Sequence, residues 1–161
     1  MLKLEYREIC EKDNAVMADI IRGNLRAYGL DIPGTAYFDT SLDNLSEYYR
    51  GDDRSYLVFI KDGQVAGGAG FAPFSGFEDC VELQKLYLKD EVKGGGTGYQ
   101  MLDVIEKRAA AYGYKRMYLE THSCLEAAIH IYEKSGYVRI EKPEQVVHST
   151  MDRFYIKELD R

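Results

Sequence analysis

The chain has 161 residues, 45% of them hydrophobic and 30% charged, a composition typical of one folded domain, here residues 1–161. A formal net charge of −6 disfavours broad contact with nucleic acid, which needs a positive surface. No apolar run approaches the ~20 residues that span a bilayer, and three cysteines without C-x-x-C spacing argue against a disulfide framework or a metal site. We therefore expect a cytoplasmic protein that binds neither nucleic acid nor a membrane.

The first part of the chain predicts one long helix after an opening strand. Asp13 is expected to cap this helix and Gly29 to end it, with Asn24 the one polar residue on its apolar face. In chain order the elements are a strand over 2–9, this helix, a loop over 30–40 and a short helix over 41–49.

A hairpin is the clearest local signal, because Asp62-Gly63 between two apolar runs suits a tight turn. The hairpin strands are predicted over 55–61 and 64–71. After them the sequence predicts a loop over 74–79, a strand over 81–88, a helix over 99–112, a strand over 115–121, a helix over 125–134, and strands over 137–140 and 151–159. This order predicts an α/β fold with a single mixed, mostly antiparallel sheet flanked by helices.

The segment Lys93-Gly94-Gly95-Gly96-Thr97-Gly98 lies between a predicted strand and a predicted helix. Such a turn binds anions, because a backbone without Cβ atoms allows close approach and the first helical N–H groups lack partners. No Lys-Ser or Lys-Thr follows a glycine, which excludes a P-loop, and Tyr99 stands where a dinucleotide fingerprint needs glycine. A branched side chain at Gly96 or Gly98 would block a phosphate and resist the positive φ expected there.

The remaining pattern, a basic residue followed by Gly96 and Gly98, resembles the acetyl-CoA signature of the GCN5-related N-acetyltransferase (GNAT) family. A second segment, from Glu120 to Tyr137, resembles the later strand and helix of that family. The resemblance covers residues 81–140 and implies a GNAT-like acyl-CoA N-acyltransferase fold. It implies direct transfer of an acetyl group from acetyl-CoA to a primary amine of a small molecule or peptide, through a ternary complex.

The sequence departs from the family pattern at two positions. Lys93 stands where the family usually has Gln or Arg, and Cys124 where it often has Asn. Lysine keeps the charge but loses the forked donor geometry of arginine. A non-catalytic acyl-CoA-binding or sensing domain of the same fold is therefore kept as the alternative, and a homodimer is left open.

The resemblance also implies where the acyl donor binds. Splayed strands would leave backbone groups unpaired beside it. The expected contacts are the backbone of Leu86, Tyr87 and Leu88, together with Lys93, Gly94, Gly95, Gly96, Thr97, Gly98, Tyr99 and Cys124.

Acyl transfer to an amine needs a base for the amine and a proton for the departing thiolate. Glu82, on the strand before the turn, is the candidate base, with a salt-bridged surface glutamate as the alternative and His122 as the next candidate. Tyr132 is the candidate acid, since a phenol keeps its proton at neutral pH and the family resemblance places this tyrosine beside the sulfur of the donor; a core tyrosine is the alternative. The acceptor is expected at the loops over 30–40, 74–79 and 141–150, where acidic side chains suit a cationic amine. His148 is interpreted as a loop residue, with a place in the acceptor pocket as the alternative.

Overall fold

The computed structural model describes residues 4–159, which form a single seven-stranded sheet with helices on both faces. The sheet order is β1-β2-β3-β4-β5-β7-β6, where the strands are β1 (Glu5–Glu8), β2 (Ser55–Lys61), β3 (Gln64–Pro73), β4 (Cys80–Leu88), β5 (Arg116–Thr121), β6 (Val138–Ile140) and β7 (Arg153–Glu158). Within the described residues, β4 and β5 are parallel and the other neighbours antiparallel. The predicted mixed, mostly antiparallel sheet is therefore confirmed; Leu2 and Lys3 of the predicted first strand lie outside the described residues.

In the described part of the chain, four α-helices accompany the sheet: α1 (Asn14–Ala27), α2 (Leu45–Tyr48), α3 (Thr97–Ala111) and α4 (Glu126–Lys134). Helix α3 begins two residues before the predicted start, because Thr97 and Gly98 of the glycine turn are already helical. The predicted helix over 41–49 is a 3-10 turn, Leu42–Asn44, followed by α2. Among residues 4–159, no helix combines the length and apolar character needed to cross a bilayer.

The side chains of β2 show how the sheet separates two cores. Leu57 and Phe59 pack with residues of α3 on one face. Tyr56 and Val58 pack with residues of α1 on the other face. All four are nearly inaccessible to solvent, as expected for a central strand that is covered on both sides.

Asp13 precedes α1 as predicted, but its carboxylate does not cap the first turn of the helix. It accepts a 2.9 Å hydrogen bond from the Cys10 N–H and bonds of 2.6 and 3.0 Å from the Arg7 guanidinium. The Asp13 side chain is only 3% exposed. It therefore fixes the start of α1 against the end of β1.

A bulge in β4 is set by Tyr56 of the neighbouring core. The register between β3 and β4 shifts, so that Gly68 pairs with Tyr87 whereas Gly70 pairs with Gln84. A Cβ atom at Gly68 or Gly70 would lie 2.5 Å from the Tyr56 ring. The Tyr56 hydroxyl donates a 2.7 Å hydrogen bond to the carbonyl of Lys85, whose φ is +52°. Glycine in β3 thus admits the ring that supports the bulge.

Candidate active site

A cleft opens where β4 and β5 separate. The two strands pair only between Cys80–Glu82 and Arg116–Tyr118, and no pairing continues beyond Glu82. The cleft has a volume of about 260 Å³. Its walls include Glu82, Gln84, Leu86, Tyr87, Leu88, Glu120, Tyr132 and His148. The separation that the sequence argument required is therefore present, with the backbone of Leu86 and Tyr87 along it.

The glycine turn presents unused backbone donors at the mouth of the cleft. Thr97 N–H donates to the Gly94 carbonyl at 3.2 Å, and Gln100 N–H donates to the Gly96 carbonyl at 3.1 Å. Between and before them, five N–H groups find no acceptor within residues 4–159: those of Gly94, Gly95, Gly96, Gly98 and Tyr99. They stand at the positive end of the α3 dipole, an arrangement that suits an anion such as a phosphate.

The four glycines of the turn have different structural roles. Gly94, Gly95 and Gly96 have φ values of +86°, +60° and +84°, in the left-handed region where other residues are strained. Gly98 has no positive φ, so that part of the expectation is wrong. A Cβ atom at Gly98 would lie 2.8 Å from Cδ1 of Ile131 in α4. Gly98 therefore allows α3 to approach α4 closely.

The predicted cationic group, Lys93, is bound to α1 at the mouth of the cleft. Its ammonium donates to Asn24 Oδ1 at 2.7 Å and pairs with Asp90 at 2.8 Å. The amide of Asn24 in turn donates a 2.8 Å hydrogen bond to the Leu88 carbonyl. The Leu88 carbonyl, which was expected to be unpaired, is thus occupied by a side chain of α1. Lys93 remains 38% exposed beside the unused donors.

Glu82 lies at the point where the strands diverge, on the face opposite to the buried Leu83. Gln84 Nε2 donates to Glu82 Oε1 at 2.9 Å, and the Tyr49 hydroxyl donates to Gln84 Oε1 at 2.6 Å. Burial, and then the carboxylate of Glu120, raise the pKa of Glu82 to about 7. Such a group can accept a proton near neutral pH.

Tyr132 reaches the cleft from α4. The residue is 8% exposed, and its ring packs edge-on against Tyr137 with 5.9 Å between centroids. Its hydroxyl has no hydrogen-bond partner among the described residues. Burial raises the pKa of Tyr132 to about 12, so the phenol keeps its proton at neutral pH. Tyr132 and Glu82 therefore line one cleft in the protonation states suited to an acid and a base.

His148 joins three elements at the acceptor end of the cleft. Its Nε2 lies 2.8 Å from Asp39 Oδ1, and its Nδ1 lies 3.4 Å from Glu120 Oε1. Asp39 also pairs with the Lys85 ammonium at 2.9 Å. Hydrogen bonds to Asp39 and then to Glu120 raise the pKa of His148 to about 9, so the ring is a cation at neutral pH. This cluster does not have the geometry of a metal site, and no other group of three ligand-type side chains in residues 4–159 has it.

Six residues that were predicted at or near the site do not line the cleft: Gly95, Gly96, Thr97 and Tyr99 of the glycine turn, and Cys124 and His122. Cys124 is exposed before α4, and its N–H donates to His122 Nδ1 at 3.1 Å. The other ring nitrogen of His122 lies 4.0 Å from Asp152. Neither residue lines the cleft. A cofactor contact by Cys124 stays a prediction, and His122 is poorly placed to replace Glu82.

The loop over residues 74–79 does not form the acceptor rim. Phe74 stacks on Tyr118 with 3.9 Å between ring centroids, and this loop does not line the cleft. The other two predicted acceptor loops and their flanks do line the cleft, through Leu30, Ala36, His148 and Met151, and we call this part of the cleft its acceptor end. Its acidic groups come from the strands, as Glu82 and Glu120.

Several polar residues of the cleft were not predicted. The sequence contained a hint for Asn24, since it is the one polar residue on the apolar face of the predicted first helix. Gln84 carried another, because it stands two residues after Glu82 and so shares its face of the strand. Glu120 and Lys85 carried none, since their placement depends on the divergence of β4 and β5 and on the bulge.

The sequence model described as the Acetyltransferase (GNAT) family matches residues 14–137. This chain belongs to the GNAT acetyltransferase family. It is also similar to YjgM of Escherichia coli, an uncharacterized N-acetyltransferase, with 36% identity over 137 residues that cover 84% of this chain and 82% of the relative. The predicted family and its acetyltransferase activity are thereby confirmed.

Other relatives agree with this assignment. An L-methionine sulfoximine/L-methionine sulfone acetyltransferase of Pseudomonas aeruginosa is 33% identical over 78 residues, 47% of this chain and 45% of that protein. A GNAT acetyltransferase structure from Staphylococcus aureus has a TM-score of 0.86 at 16% identity, covering 98% of this chain and 100% of that one. The structure of yncA from Salmonella typhimurium, with its cofactor acetyl-CoA, has a TM-score of 0.76 at 22% identity, covering 99% and 96%. The predicted fold is confirmed.

Proposed function

We propose that this GNAT chain transfers an acetyl group from acetyl-CoA directly to the primary amine of a small molecule, within the cleft between β4 and β5. The observation that carries the proposal is the presence of Glu82 and Tyr132 in one cleft whose mouth bears five unused N–H donors. Three free cysteines fit the cytoplasm as the compartment.

The residues at the mouth of the cleft fit acetyl-CoA. The unused N–H groups of the glycine turn and the Lys93 ammonium suit its phosphates. The backbone of Leu86 and Tyr87, which β5 does not pair, suits the amide groups of its pantetheine arm. A solved relative with this fold, yncA, holds acetyl-CoA, which supports the same donor here.

The chemistry divides between two side chains. Acetyl-CoA supplies the acetyl group as a thioester; transfer to the amine forms an amide and frees the thiol of CoA. Glu82 removes a proton from the ammonium form of the acceptor, directly or through a water, and thereby makes the nitrogen nucleophilic. Tyr132 gives its hydroxyl proton to the departing sulfur, and the proton that the attacking nitrogen loses on forming the amide restores the phenol, while Glu82 releases its proton to solvent. No acyl-enzyme is needed, so donor and acceptor are bound together in a ternary complex.

The acceptor end of the cleft suits a small amine more than a protein segment. Thr150 N–H donates to the Gly34 carbonyl at 3.0 Å, and the Thr150 hydroxyl donates to the Pro33 carbonyl at 2.7 Å. These bonds draw together the two loops at that end. The relative from Pseudomonas aeruginosa is named for small amino-acid derivatives, which supports the same size class.

The test combines binding and turnover. Calorimetry with acetyl-CoA should show one site, and thiol release should appear only when an amine from a panel of polyamines, amino acids, aminoglycosides and peptides is added. Mass spectrometry should then find the amine N-acetylated. Binding without thiol release for any amine would favour the non-catalytic acyl-CoA-binding alternative. Turnover of peptides alone would contradict the small-molecule acceptor.

A further inference from the structure

His148 contacts both a loop on the acceptor side of the cleft and the diverging strand β5. It stands between Asp39, which follows the 3-10 turn Ala36–Phe38, and Glu120 near the end of β5. The side chain of Glu120 is 5% exposed and that of His148 is 24% exposed. A carboxylate as buried as Glu120 needs a charged or hydrogen-bonding partner, and His148 and the Tyr118 hydroxyl, at 3.0 Å, supply it.

Because of where Glu120 lies, its pairing with His148 affects the pKa of Glu82. Glu82 is in register with Tyr118, and Glu120 stands two residues further along β5 on the same face. The two carboxylates therefore face one cleft, and their repulsion contributes to the raised pKa of Glu82. The positive charge of His148 acts in the opposite direction on the same group.

We propose that His148 positions the acceptor end of the cleft, acting as a cation held between Asp39 and Glu120. There it screens Glu82 from the negative charge of Glu120. This inference rests on the proposed function only in taking Glu82 as the base. His148 is a positioning residue, since it acts through two carboxylates and is not assigned a contact with the reacting atoms.

The other groups around these side chains do not supply the same effect. Lys85 is a cation that also lowers the pKa of Glu82, to a smaller extent than His148 does, but its ammonium pairs with Asp39 and not with Glu120. Gln84 is neutral and holds Glu82 Oε1. The titratable and charged groups that face Glu82 or His148 from the packed elements are Asp39, Tyr49, Cys80, Lys85, Tyr118 and Glu120. Among them, no cation other than His148 pairs with Glu120.

Replacing His148 and replacing Glu120, each alone, should shift the pKa of Glu82 in opposite directions. In His148→Gln, Glu120 loses its counter-charge, so the pKa of Glu82 should rise by about one pH unit. In Glu120→Gln, the repulsion disappears and the pKa of Glu82 should fall by a similar amount. A purely structural role for His148 would leave the pKa of Glu82 unchanged in His148→Gln.

The pKa of Glu82 is measured directly by ¹³C NMR of labelled glutamate side chains, with the resonance assigned by its absence in Glu82→Gln. This measurement needs no turnover. If the two shifts appear but no amine is acetylated, the proposed function fails and the inference stands. If His148→Gln leaves the titration of the Glu82 resonance unchanged, the inference is overturned, whether or not turnover occurs.

Two further variants separate charge from loop placement. Thr150→Ala removes the bond to the Pro33 carbonyl without changing any charge, so it should raise the acceptor KM and leave the pKa of Glu82 in place. His130→Gln alters an exposed histidine of α4 and is the matched control. It should change neither the acceptor KM nor the pKa of Glu82. A fall in kcat at unchanged acceptor KM and unchanged Glu82 pKa in His148→Gln would contradict the positioning role.

Discussion

Gln84 Nε2 donates a 2.9 Å hydrogen bond to Oε1 of Glu82, and the Tyr49 hydroxyl holds the Gln84 amide from the other side. The bond fixes one carboxylate oxygen and leaves Oε2 without a donor among residues 4–159. Because a hydrogen bond to the charged form lowers a pKa, Gln84 partly offsets the effect of burial and of Glu120. The orientation and the pKa of the Glu82 carboxylate are thus set by burial, by Gln84 on β4 and by Glu120 on β5.

Replacement of Tyr132 with Phe should lower kcat and leave acetyl-CoA affinity little changed. The variant keeps the ring that packs against Tyr137 but loses the proton for the departing sulfur, so kcat should fall by roughly 10²–10⁴-fold. Steady-state kinetics and calorimetry give the two values. Tyr137→Phe is the control, since its hydroxyl is buried without a partner among the described residues. Full kcat in Tyr132→Phe would make Tyr132 a core tyrosine.

Replacement of Gly96 with Ala should weaken acetyl-CoA binding. Gly96 has φ +84° and precedes α3, so a Cβ atom strains the turn and displaces its N–H donors. We expect the Kd for CoA to rise by about tenfold or more. Gly113→Ala is matched, because Gly113 also has positive φ, +98°, with open space around its Cβ position. It should lower stability without changing the Kd; equal affinities in both variants would mean that the turn does not bind the phosphates.

Replacement of Asp13 with Ala should destabilise the fold by about 1–3 kcal/mol, since the Cys10 N–H and the Arg7 guanidinium lose their acceptor. Asp43→Ala removes an exposed pair with Arg22 and should cost less than about 1 kcal/mol. Urea unfolding measures both. A larger loss in Asp43→Ala would contradict this ranking.

The effect of Asp13 should also depend on pH. Burial acts to raise the pKa of Asp13, but the hydrogen bonds from Arg7 and Cys10 outweigh it and lower the pKa overall. The stabilisation is therefore present above the unfolded pKa of about 4 and is lost as pH falls through the lower folded value. The difference between wild type and Asp13→Ala should shrink on acidification; a constant difference would exclude the ionic contribution.

The sequence predicted those features of the fold and site that arise from neighbouring residues. Asp62-Gly63 fixed the hairpin, and the glycine turn and Glu82 were placed by their position between a strand and a helix. The pair of His148 with Asp39 joins residues 109 positions apart. Such a contact depends on how two loops pack over the folded sheet, so the local sequence pattern does not predict it. The bulge at Lys85 likewise depends on the Tyr56 ring against Gly68.

The central claim, that Glu82 is the base of an acetyl transfer in this cleft, is tested most directly by the pH dependence of kcat/KM. With the pKa of Glu82 near 7, the wild-type rate should rise through pH 7 and level off above it, because only the carboxylate accepts the proton. Glu82→Gln should lose that acidic limb and fall by roughly 10²–10⁴-fold. A Glu82→Gln enzyme that keeps both the rate and the limb would contradict the account.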